Sequence, residues 1–185
     1  MTRPSYLGLL NAIAVAERQA EHYLAAWADT TTDTDVAAVL RFVALREGEH
    51  AQSFAERIEA LGFDLREPKD TSPFDAQLKL ASADIADVDK FERLGIGGPP
   101  TKSDPFDKMF FDKSIDIETG ALLGRYIAEE RDSGRRLEQC HLALTGSRPL
   151  ETDDSTPSKP KKKKKAKHQA KKQTKKKTKK KTKSR

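Results

Sequence analysis

Residues 45–54, LREGEHAQSF, place Glu47 and His50 three positions apart in a stretch that otherwise has the period of an amphipathic helix. The stripe runs Val36, Leu40, Val43, Glu47, His50, Phe54, Ile58 and Leu61, with the three-and-four spacing of a single helix face. A carboxylate and an imidazole therefore stand where leucines would be expected. An ionised carboxylate taken out of water costs on the order of several kcal/mol unless it is paired or bound to a metal. The pattern calls for a partner.

That partner is offered by the preceding segment, where Leu10, Ile13, Glu17, Ala20, Leu24 and Trp27 recur on one face over residues 6–28. The polar run DTTTDTD (29–35) ends this first helix, and Thr32 with Asp35 has the form of a capping box that starts the second. Gly62 supplies its C-terminal stop. Glu17 lies about 14 residues before the turn and Glu47 about 16 after it, so at about 1.5 Å per residue an antiparallel hairpin brings them level. His50, one turn along, points the same way and adds a nitrogen donor. Oxygen and imidazole donors together suit iron or manganese.

Residues 63–72 read as a connection, and TSPFD (71–75) offers Ser72 as N-cap, Pro73 as the first helical residue and Asp75 in the first turn. A third helix is expected over 73–93. LGIGGPPTKSDP (94–105) cannot continue a helix, and Asp104 followed by Pro105 predicts the start of a fourth, running to Leu144 either with bends at its glycines or as two helices. No strand alternation competes. The reading is all-α, an antiparallel four-helix bundle with one crossover, against a three-helix bundle with an appended long helix.

AERQAEHYLAAW (16–27) followed by LREGEHAQSFAERIEAL (45–61) resembles the first helix pair of the ferritin-like superfamily, nearest in style to rubrerythrins. The resemblance implies a ferritin-like bundle in which Glu17, Glu47 and His50 ligate metal. Glu118, on a stripe with Ile115, Leu122 and Tyr126 and about 14 residues after Asp104, substitutes for the fourth-helix ligand. Ala121 stands where a second His would be. Glu21, Glu129, Glu138 and His141 are further metal candidates, and the third helix offers only Asp84 or Asp87. The implied cofactor is iron, as a di-iron, mono-iron or half-occupied centre, with manganese as the alternative. The implied activity is di-iron oxidoreductase chemistry with peroxide or dioxygen. A di-iron hydroxylase acting on RNA and a degenerate, non-enzymatic bundle scaffold are the alternatives. With Cys140 alone the chain lacks a cysteine-bound iron, so an external electron donor is implied, and a homodimer could complete the site.

The composition changes sharply near residue 150, giving a bundle over 1–148 and a lysine-rich tail over 149–185. Residues 159–185 hold 17 Lys and Arg with no acidic residue; since the whole chain carries +6, residues 1–158 carry −11. The tail has too little apolar surface to fold and is expected to be disordered. Lys161, Lys162, Lys163, Lys164, Lys165, Lys171, Lys172, Lys175, Lys176 and Lys177 suit non-specific, salt-sensitive association with nucleic acid. No aromatics are interleaved for base stacking. No window reaches the roughly 18 apolar residues of a membrane span, and Met1–Gly8 lacks the pattern of a secretory signal. The expected location is cytoplasmic, with association to the nucleoid through the tail. A single cysteine excludes an internal disulfide.

Overall fold

The computed structural model describes residues 3–98 and 111–146. The described residues are helical without strands, in five helices: α1 (Leu7–Thr30), α2 (Thr34–Ala60), α3 (Ser72–Ala81), α4 (Asp87–Leu94) and α5 (Ile117–Leu144). None of them is long and apolar enough to cross a membrane. The chain divides into two units, Met1–Leu150 and Glu151–Arg185. The tail lysines singled out above lie outside the described residues.

Helices α1 and α2 form a hairpin along their whole length. The cap of α2 is Asp33 rather than Thr32: its carboxylate accepts from the Asp35 and Val36 backbone amides at 2.9 and 3.1 Å. Two of the four orphan amides of the first turn are satisfied this way. Helix α2 ends at Ala60 with Leu61 as its C-cap, and Gly62 takes φ 82°, a left-handed value that suits glycine at a helix stop.

The third helix expected over 73–93 is two helices. Helix α3 stops at Ala81, and α4 restarts at Asp87 after a turn that contains Ser82 and Asp84, residues that favour turns over helix interiors. The restart is fixed from outside. Asp87 accepts from Trp27 Nε1 at 2.6 Å and from Thr31 Oγ1 at 2.5 Å. Lys90, 1% exposed, donates to Thr30 Oγ1 and to the Ala81 carbonyl, each at 2.9 Å. Both contacts tie α4 to the α1–α2 turn.

The last described helix begins at Ile117 after a non-helical stretch over 111–116, with Asp116 as its N-cap accepting from the Thr119 amide at 2.9 Å; the start expected at Asp104 lies outside the described residues. Arg57 of α2 clamps this start, donating to Asp116 at 2.7 Å, Glu118 at 2.5 Å and Thr119 Oγ1 at 2.9 Å. Tyr6 donates to Asp116 at 2.6 Å from the other side. The difference in start point moves every residue of α5 along the bundle by about 12 positions, roughly 18 Å at 1.5 Å per residue.

Two apolar clusters fill the helical body. One gathers Leu10, Ile13, Phe54, Ile58, Leu123 and Ile127; the other gathers Leu24, Trp27, Leu40, Val43, Phe91 and Leu137. On each of α1, α2 and α5 a short polar segment separates them: Glu17, Glu47 with His50, and Glu130 with Ser133. The polar residues form a layer.

Candidate metal centre

The layer brings one donor atom each from Glu17, Glu47, His50 and Glu130 within 4.8 Å of one another. Glu17, Glu47 and His50 are 7%, 3% and 4% exposed, so water contributes little to their solvation. Their partners are internal. Tyr126 Oη donates to Glu17 Oε1 at 2.7 Å. His50 donates from Nε2 to Glu129 Oε2 at 2.8 Å and faces Glu47 Oε2 and Glu130 Oε1 from Nδ1, each at 3.3 Å. The Tyr126 ring closes over His50 edge-on at 5.1 Å between centroids.

Crowding three carboxylates around one imidazole shifts every proton in the layer. Burial, then a hydrogen bond to Glu47 and the charges of Glu130 and Glu47, push Glu17 far above the ordinary carboxylate range. Desolvation also opposes the Glu47 anion, but hydrogen bonds from His50, Glu17 and Glu130 hold its pKa below the usual value. Burial and the neighbouring Glu47 raise Glu130 despite its contact with His50. Desolvation disfavours the His50 cation, yet Glu130, Glu47 and Glu129 outweigh it and raise the ring to about 10. Without a metal, the layer is stabilised by protons held on Glu17 and His50.

The donor set fits a cation. Donors about 2.1 Å from one ion lie at most about 4.2 Å apart, and the four donor atoms all lie within 4.8 Å of one another. Glu130 Oε1 is buried with no hydrogen bond, its ion-pair contact being His50 Nδ1 at 3.3 Å, and a cation would give it a closer partner.

The other candidates are placed elsewhere. Glu118 is corrected: it sits in the first turn of α5 with its side chain 79% exposed, paired with Arg57 rather than with the layer. Because the helix starts later than expected, the α5 residue at the height of Glu17 and Glu47 is Glu130. The sequence reading passed it over, although Tyr126, Glu130, Ser133 and Leu137 continue one stripe at spacings of four, three and four. Glu129 touches His50 but is also held by Arg125 at 3.0 Å, on the side away from the other donors. Glu21 is outside the cluster, and its carboxyl lies where a Cβ on Gly48 would approach within 2.8 Å. Glu138 lines a separate cleft beside Gly97 and Gly98. His141 stacks on Phe91 at 5.0 Å and contacts the Gly97 carbonyl at 3.0 Å. Asp87 caps the α1–α2 turn instead of facing the layer. Burial raises the Cys140 thiol to about 11, which keeps it protonated and unreactive.

Residues 101–184 match the family model of tick salivary peptide group 1. That stretch is less than half of the chain; it contains α5 and most of the lysine-rich run and leaves out Glu17, Glu47 and His50. No curated protein matches the chain, and no solved structure does. The matched family is not a ferritin-like one, and this overturns the rubrerythrin-like resemblance. The functions drawn from that resemblance fall with it: di-iron oxidoreductase, RNA hydroxylase and degenerate scaffold of the same family. Salivary peptides are secreted products, so the match also conflicts with a cytoplasmic or nucleoid location.

Proposed function

We propose that the helical body is a binding module for a single divalent transition-metal ion, held by Glu17 of α1, Glu47 and His50 of α2 and Glu130 of α5. Iron(II) and manganese(II) are the ions that three carboxylate oxygens and one imidazole nitrogen suit best. One observation carries the reading: a polar layer with four donors within 4.8 Å lies between two apolar clusters, where such groups are otherwise costly. A bound divalent ion supplies positive charge that offsets the carboxylates. The chain's own groups do the rest: Tyr126 orients Glu17, and Glu129 orients the His50 ring through Nε2.

In this reading α3 and α4 together take the place of the fourth member of an antiparallel bundle. The lysine-rich tail serves as a separate cationic arm that attracts polyanions such as nucleic acid by counterion release.

The test is thermal stabilisation. An ion that binds only the folded state, at about 100 times its Kd, adds about 2.7 kcal/mol; for a chain of this size that is a rise in Tm of about 5–10 °C. Manganese(II) or iron(II) is expected to give such a rise in the wild-type chain and little in Glu130→Gln. Equal melting with and without either ion would end the proposal.

A further inference from the structure

Glu17, Glu47 and Glu130 do more than face one another. They also line a cavity of about 460 Å³ walled by residues of α1, α2, α3 and α5, whereas His50 is outside its wall. Ala20, Leu24, Val43 and Leu137 give it an apolar side, and Gln19, Gln77 and Ser133 place neutral polar groups around the rest. Ala16, Gln77 and Gly134, all exposed, stand at its rim, so the cavity communicates with solvent. Its volume is that of a small-molecule site.

Its charge is one-sided. Among the described residues no lysine, arginine or histidine lines it, while three carboxylates do. A divalent ion would offset two of those three negative charges, so an anion entering the cavity would still meet net negative charge. Four protein donors also leave positions open on an ion that prefers six. Those positions can be reached from the cavity, because the carboxylates border it and the imidazole closes the opposite side.

We infer that the cavity admits an uncharged organic ligand, with a nitrogen or oxygen donor at one end and a short apolar body, whose donor atom completes the coordination of the ion. The apolar body lies along Ala20, Leu24, Val43 and Leu137, and the donor end reaches the carboxylate layer. This inference rests on the metal reading above and adds the ligand class.

The experiment uses the full chain loaded with cobalt(II), whose visible absorption reports its coordination, titrated with 1-butylimidazole and separately with hexanoate. The expected result is a saturable spectral change with 1-butylimidazole and none with hexanoate over the same range. Ala20→Phe replaces no donor and fills the cavity from its apolar side. Gly134→Phe does so from the rim, where a Cβ meets nothing within 4 Å. Each is expected to weaken the 1-butylimidazole response at least tenfold while the cobalt content per chain stays unchanged. A response to hexanoate equal to that of 1-butylimidazole would overturn the charge argument. Cobalt uptake without a response to 1-butylimidazole, or a response that survives both substitutions, would overturn the cavity assignment alone. A chain that takes up no cobalt would overturn the metal reading and this inference with it.

Discussion

Raising the pH should tighten metal binding steeply, because the groups proposed to ligate the ion hold protons in its absence. His50 sits at about 10 in the metal-free layer, and Glu17 lies far above the ordinary carboxylate range. At pH 7.5 the ring must lose its proton to offer a lone pair, which at 1.36 kcal/mol per pH unit costs ~3 kcal/mol, roughly a 300-fold loss of affinity. Glu17 must lose its proton too. With both groups protonated in the free protein, affinity should rise by up to about 100-fold for each pH unit, a factor of about ten per proton released. Manganese(II) titrations by calorimetry at pH 6.5, 7.5 and 8.5, in buffers of different ionisation enthalpy, measure both the slope and the proton count. In His50→Gln the slope should fall by about one proton. An affinity that stays flat over this range, with no proton release, would refute the assignment of His50 and Glu17 as protonated ligands.

The same shift fixes the sign for the metal-free protein. A His raised from 6.5 to about 10 contributes stability that is fully present below 6.5 and lost as pH rises through 10, so metal-free chain should melt lower at pH 9 than at pH 7. Lys90→Met keeps the buried stem but removes the ammonium that donates to the Ala81 carbonyl and the Thr30 hydroxyl; urea denaturation should show a loss of about 1–3 kcal/mol. Two glycines should respond oppositely to alanine. Gly97 has φ 67°, and its Cβ would meet the Phe91 ring at 2.8 Å and the Leu137 carbonyl at 3.0 Å, so Gly97→Ala should destabilise by more than about 1 kcal/mol. Gly48 is helical and the nearest atoms its Cβ would meet belong to the movable Glu21 carboxyl, so Gly48→Ala should be neutral or gain up to about 1 kcal/mol.

The α1–α2 hairpin was legible because its signals are local: two stripes of constant period, a polar turn with capping residues, and a glycine stop. Level placement of Glu17 and Glu47 followed from counting residues along that hairpin. Helix α5 was not legible in the same way. Asp116 is a start the local pattern did not single out, and what holds it is the Arg57 and Tyr6 contacts across more than fifty residues of sequence. Counting heights from Asp104 put Glu118 at the level that belongs to Glu130. The break between α3 and α4 had a local hint in Ser82 and Asp84, but its position is held by Trp27, Thr30 and Thr31, which no local pattern connects to Asp87 and Lys90. The family resemblance, carried by that same hairpin, led further than the hairpin warranted. A Glu facing a Glu-x-x-His specifies donors rather than a reaction.

Metal content tests the central claim most directly. The full chain would be stripped with chelator, reloaded anaerobically with iron(II) or with manganese(II), desalted and measured by elemental analysis beside Glu47→Gln, with helix content followed by circular dichroism. The account predicts about one ion per wild-type chain and almost none in a variant that keeps its helices. No metal in the wild-type chain, or the same content in both, would contradict it and leave the polar layer as a network held together by its own protons.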